Sequence, residues 1–187
     1  PEDDARLENR KGVSQARRGN LEAALASFEE ACRVNPFDET ALANLACAHN
    51  NLGVLLVKEH KYAEAVNHFE ASKAQKPEDL QIRFNLLSTR ITMRDTEGAA
   101  AEAKGILTLR PRDADTILRI STAFQKMEDD ELAQHLLEDL VSMSPDNARA
   151  LYQLGRLQYR QGNFSESRYY LTRALEVRTE VIPSFEV

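Results

Sequence analysis

Asn44 and Asn51 stand seven residues apart, two helical turns on one face of a periodic stretch. Thirty-four residues before Asn44 lies Arg10. Thirty-four after Asn51 lies Asn85, and further steps of 34 reach Arg119 and Gln153. Each stop is a planar side chain with hydrogen-bond donors, and all but the arginines carry an acceptor as well. A carboxamide presents both groups that a peptide unit needs, so amides repeated along a groove can hold an extended backbone without dictating its side chains. The arginines at positions 10 and 119 add a preference for carboxylates.

No competing chemistry survives a search of the chain. His49, His60, His68 and His135 lack metal-ligand spacing. No GxGxxG, phosphate-loop or GxSxG sequence occurs. The acidic run at 128–131 opens a helical pattern, where carboxylates complement the helix dipole. Neither an enzyme nor a cofactor is expected.

Composition narrows the partner. The 187 residues carry a net charge of −6, which disfavours coating by nucleic acid. No apolar run approaches a membrane span, so membrane insertion is not expected. Cys32 and Cys47 could pair on count alone, but neither sits in a CxxC spacing. Free thiols in a reducing, cytoplasmic setting are the expectation. The chain opens at Pro1 and closes on an apolar stretch, Val181–Val187. A fragment of a longer protein is therefore expected, with a lost leader left open and a continuing chain or another subunit covering the far edge.

The elements that must position the amides come from punctuation. Pro36, Pro77, Pro111 and Pro145 are separated by 41, 34 and 34 residues. Each stops a helical pattern, and an Asp or Asn shortly after most of them caps the next. Between prolines the apolar spacing predicts two amphipathic helices per unit. They cover 4–17 and 21–34, 39–58 and 62–75, 80–93 and 96–109, 114–127 and 130–142, and 148–160 and 164–180. The extra seven residues before Pro77 lengthen the helix 39–58 by two turns without rotating its faces much, so it should protrude.

Gly12, Gly19, Ala24, Phe28, Ala31 and Pro36 resemble, in order and spacing, the tetratricopeptide repeat signature. Leu52, Gly53, Tyr62, Ala65, Phe69 and Pro77 repeat it, as do Leu154, Gly155, Gly162, Phe164, Leu171 and Ala174. Units three and four keep Ala99 with Pro111 and Ala133 with Pro145, but have Leu87 and Ser121 in place of a glycine. The resemblance implies an all-α, right-handed solenoid of five helix-turn-helix repeats forming one array over 1–187. The repeats would span about 5–38, 39–79, 80–113, 114–147 and 148–181, with the first helix of the second extended. Small residues would mark the closest approach of two helices, and Phe28, Phe69, Leu137 and Leu171 would fill space between hairpins.

In such arrays the first helix of each hairpin lines a concave groove. At 4-3-4 spacing that face carries nine basic residues and one acid, Asp115, in an acidic chain. Arg17, Lys58, Lys126 and Arg160 lie in last turns, where the helix dipole favours them. Arg6, Arg10, Arg119, Arg149 and Arg156 have no such account. The expected function is a non-catalytic interaction scaffold or adaptor whose groove binds an extended, acid-bearing peptide. Its residues would be Arg10, Asn44, Asn51, Asn85, Arg119, Gln153, Arg149, Arg156 and Tyr152. This resembles the asparagine ladders of some peptide-binding members. The family's carboxylate clamp is only partly matched, through Asn9 and Asn51, while Val13, Gln81 and Asn85 depart from it, so chaperone tails are not the expected ligand. Tyr152, Tyr159 and Phe84 are either apolar anchors or core. The alternatives are self-association through end repeats or the long helix, and a substrate-recruiting arm of a larger enzyme.

Overall fold

The computed structural model describes residues 2–109 and 111–180. Among them are ten α-helices and no strand. They run α1 Glu2–Arg17, α2 Leu21–Val34, α3 Glu39–Lys58, α4 Tyr62–Gln75, α5 Leu80–Thr92, α6 Thr96–Thr108, α7 Ala114–Lys126, α8 Asp130–Met143, α9 Ala148–Arg160 and α10 Phe164–Glu180. The expected all-α fold of five hairpins holds, with helix ends displaced by a residue or two in places. The apolar tail from Val181 lies outside the described residues.

Local chemistry fixes the boundaries. The side chains of Asp38, Asp79, Asp113 and Asn147 accept from backbone N–H groups in the first turns of α3, α5, α7 and α9. These are the caps that follow the four prolines. Inside the hairpins, Gly19 and Gly162 turn the chain with positive φ. His60, Arg94 and Glu128 adopt the same left-handed conformation without being glycine. That conformation costs an L-residue roughly 1–2 kcal/mol.

The chain forms two compact units, residues 1–109 and 110–187. In the first, Leu52, Leu56, Ala65, Phe69 and Leu86 make one core, with Leu21 and Leu25 of α2 packed against it. A second core joins Ala24 and Phe28 to Leu45 and Ala48. The small residues sit at the closest approaches, as expected. A Cβ on Gly12 would stand 2.6 Å from the Phe28 ring, and one on Gly53 2.6 Å from Phe69. Phe28 and Phe69 therefore fill space within their own hairpins as well as between neighbours.

A layer of charge ties α4, α5 and α6. Glu102, 6% exposed, accepts from Lys73 Nζ and from Arg83 Nη1, both at 2.9 Å. Glu70 in turn pairs with Lys73 and Arg90, and Arg90 also reaches Asp95. In the second unit, Ile120, Phe124, Ala133, Leu137, Leu140, Leu154 and Leu157 are buried. A Cβ on Gly155 would meet the Leu171 side chain at 2.8 Å.

One expectation needs correcting. α3, with a mean hydropathy of 1.2, is long and apolar enough by length and composition to cross a membrane. The two added turns produce that length. Its leucines at 45, 52 and 56 are buried in the first unit, and Asn44, His49, Asn50 and Asn51 interrupt its middle.

Candidate functional site

Three of the amide rungs, Asn44, Asn85 and Gln153, make hydrogen bonds across seams between helices. Asn44 Nδ2 donates to Asn9 Oδ1 at 2.8 Å, joining α3 to α1. Asn85 Nδ2 donates to Asn50 Oδ1 at 2.9 Å, joining α5 to α3. Both pairs are 35 residues apart, not 34. Asn44 was expected in register with Arg10 and Asn51 with Asn85; the contacting partners are instead Asn9 and Asn50. Residues one repeat apart point the same way from parallel helices, whereas residues that touch must face each other. Stepping back one position rotates a side chain by about 100° toward the neighbouring helix.

This register explains the long helix. α3 meets α1 through Asn44 and α5 through Asn50, six residues further along, about 9 Å of helical rise. The insertion thus supplies one seam residue to each neighbour. α3 extends past the C-terminal end of α1 and past the N-terminal start of α5.

The amides consequently fall into two kinds. Asn85 is occupied at both ends, since its Oδ1 also accepts from Gln81 Nε2 at 2.9 Å. Gln153, in the second unit, accepts from Ser121 Oγ at 3.1 Å and donates weakly to Thr122 Oγ1 at 3.4 Å. Ser121, standing where the signature has glycine, is buried and used in this seam. Asn51 differs. It is exposed, and its Nδ2 has only the Cys47 sulfur at 3.6 Å, a weak acceptor. No hydrogen bond to its amide oxygen is formed among the described residues.

Arg10 borders two hollows of the first unit. One, of about 490 Å³, is lined by Asn9, Arg10, Val13, Ser14, Arg17 and Arg18. The other, of about 430 Å³, runs from Arg6, Asn9 and Arg10 to Phe37 in the turn and Thr40 at the start of α3. Phe37 is 88% exposed. Its sequence context is only that of a turn after proline, so periodicity could not single it out.

In the second unit Tyr152 is half-exposed, with the Arg156 guanidinium 5.8 Å from its ring centroid. Arg149 and Tyr152 join Ala148, Leu171, Ala174 and Leu175 around a hollow of about 670 Å³. Arg149 Nη1 also pairs with Asp115 at 3.1 Å, and Arg160 with Asp130 at 2.6 Å. Those two bases therefore have intramolecular partners, and the basic excess on this face is smaller than the sequence implies. Arg119 is exposed, and its charge helps hold the Asp113 carboxyl below its ordinary pKa, after the hydrogen bond from the Thr116 backbone. Of the aromatic residues, Phe84 is buried core and Tyr159 stands exposed, edge-on to Phe164.

Outside this face, His49 and His68 meet across the α3–α4 seam with Nδ1 atoms 2.9 Å apart. One must donate and the other accept. Burial, then the charge of His68, lowers the His49 pKa. Both cysteines are free thiols, and among the described residues no group of three or more potential ligands could hold a metal.

With that geometry in hand, similarity to known proteins is informative. A family model described as "Tetratricopeptide repeat" matches residues 118–179. Tetratricopeptide repeat protein 16 of Homo sapiens is 24% identical over 114 residues, covering 61% of this chain. The BBSome complex member BBS4 of Bos taurus is 24% identical over 132 residues, covering 71% of it. The chain spans only 13% of the first protein's length and 25% of the second's. Among solved structures, a MamA protein aligns with a TM-score of 0.68 at 15% identity, covering 98% of this chain and 97% of that one. YrrB, described as a TPR protein with an unusual peptide-binding site, aligns with a TM-score of 0.64 at 17% identity, covering 95% and 88%. Signature residues, hairpin geometry and these similarities agree on a tetratricopeptide-like helical-hairpin fold, and the tetratricopeptide repeat family model itself matches residues 118–179.

Proposed function

We propose that the first-helix faces of this protein bind an extended, acid-bearing peptide segment. The tetratricopeptide fold is a protein-interaction scaffold, of a family that is generally non-catalytic. The finer reading rests on one observation: Asn51 is an exposed amide on a row whose other amides are already committed to seams. A free carboxamide can pair with both the N–H and the C=O of a peptide backbone. Arg10, on α1 and lining two hollows of the first unit, supplies a charge that selects a carboxylate. In the second unit Arg156 and Tyr152 offer the same combination of cation and apolar surface. Affinity of an isolated segment would be about micromolar, near −8 kcal/mol.

A peptide array probed with wild type, Asn51→Ala and Arg10→Ala tests this. The expected result is a preference for acidic sequences that weakens in both variants. Undiminished binding in both variants would reject the groove. Two comparisons lend support: YrrB is described as having a peptide-binding site, and BBS4 as belonging to a complex.

A further inference from the structure

We propose that the far side of the α9–α10 hairpin, in the second unit, is a docking surface for a leucine-striped amphipathic helix of a partner protein. The hollow of about 670 Å³ there is lined by Leu171, Ala174 and Leu175 of α10 and by Ala148 and Tyr152 of α9. Leu175 is 65% exposed and Tyr152 51%. A lone exposed apolar residue is ordinary, but several side by side around one hollow mark an interaction site.

Repeat register identifies what this face is built to meet. Leu171 holds the position of Phe28, Phe69 and Leu137, which are all buried, yet it is only partly covered itself. Ala174 stands 34 residues after Leu140, and Tyr152 stands 34 after Leu118. Leu118 and Leu140 are buried on the hairpin that receives α9, which touches α8 and reaches Ser121 and Thr122 of α7 through Gln153. Asn9 and Asn50, at the register of Tyr152 in α1 and α3, likewise meet the first helix of the following hairpin. At α9–α10 the same positions have no such helix among the described residues.

The helices that fill the other seams share a stripe. Leu45 of α3 packs with Ala24 and Phe28 of the hairpin before it, and Leu86 of α5 with Ala65 and Phe69. Leu154 holds that register in α9, with Ala150 and Leu157 at helical spacing on either side, and all three are fully buried. A partner helix with leucines at that spacing continues the same packing into the hollow. A second copy fits less well. The hollow is lined by Arg149 and Arg178 and by no carboxylate, so two copies paired about a two-fold axis would set these arginines against each other.

Anisotropy of a fluorescein-labelled, hydrocarbon-stapled helix tests the proposal. The probe carries leucines at i, i+4 and i+7 and glutamines elsewhere, so it has no acid for the groove to select. Wild type should bind it at about micromolar concentration and should not bind a stapled helix of the same composition with its leucines dispersed. Leu175→Glu should bind at least about tenfold more weakly and Leu175→Met should bind as wild type. Neither should move the melting temperature, because the side chain is largely exposed. Asn51→Ala should leave this binding unchanged. Equal binding of the two helices, unchanged affinity in Leu175→Glu, or loss in Asn51→Ala overturns the docking surface, while the groove is judged on acidic peptides alone. Binding seen only in a Val181→Ser/Ile182→Ser/Phe185→Ser variant gives the hollow to the chain's own end and overturns the partner. A dimer of wild type in light scattering that Leu175→Glu abolishes gives it to a second copy and overturns the partner equally.

Discussion

Asn51, Asn44 and Asn85 look alike in sequence and should behave differently when cut. Asn44 and Asn85 donate across seams between hairpins, so truncating either to alanine removes a part-buried hydrogen bond worth roughly 0.5–1.5 kcal/mol. Thermal unfolding should register both. Asn51→Ala should leave the melting temperature in place and weaken peptide binding. A melting loss for Asn51→Ala equal to that of Asn85→Ala would contradict the division between seam and ligand amides. Gly53→Ala should also destabilise, by about 1–3 kcal/mol, because its new Cβ falls on the Phe69 ring. Signature glycines were legible in the sequence, since a residue type at fixed spacing signals them. Which amide is occupied was not, because a 34-residue period aligns equivalent positions while contact requires facing ones.

Helices and their seams carry the next predictions. Glu102 was invisible to periodicity: it sits at an apolar position of α6 and is satisfied by cations from α4 and α5. Removing it as Glu102→Ala takes the carboxylate from the largely buried Arg83 and leaves Lys73 with Glu70 alone. The loss should be about 3–5 kcal/mol, read by denaturant unfolding, and Glu102→Gln should recover part of it. The His49–His68 contact couples the α3–α4 seam to pH. His49 is lowered in the fold, so the unfolded chain takes up its proton first as pH falls. Stability from this group is complete above its ordinary pKa, about 6.5, and is lost as pH drops through that value toward the lowered one. His49→Asn should flatten the change in melting temperature between neutral and mildly acidic solution; an unaltered slope would show that the pair has no such role. Helix bounds themselves were readable, since Asp38, Asp79, Asp113 and Asn147 cap where prolines predict. The long helix was expected to protrude. That it does so by supplying separate seam residues, Asn44 and Asn50, to its two neighbours needed side-chain contacts to see.

At the scale of the molecule, charge and repeat architecture together define a scaffold that is acidic in sum and basic on selected faces. Arg10 and Arg156 remain on those faces after Asp115 and Asp130 take Arg149 and Arg160. The cation count alone overstated the groove, because an ion pair formed between helices 34 residues apart cannot be read from either helix separately. The central claim is selection of an acid-bearing backbone by first-helix faces that carry Asn51 and Arg10. Its most direct test is isothermal titration of an acidic peptide chosen from the array, beside the same peptide with each Glu changed to Gln, into wild type and Asn51→Ala. Micromolar binding by wild type, weakened about tenfold or more by either change, is the predicted result. Equal affinity for the charged and neutral peptides, with no effect of Asn51→Ala, would contradict the account.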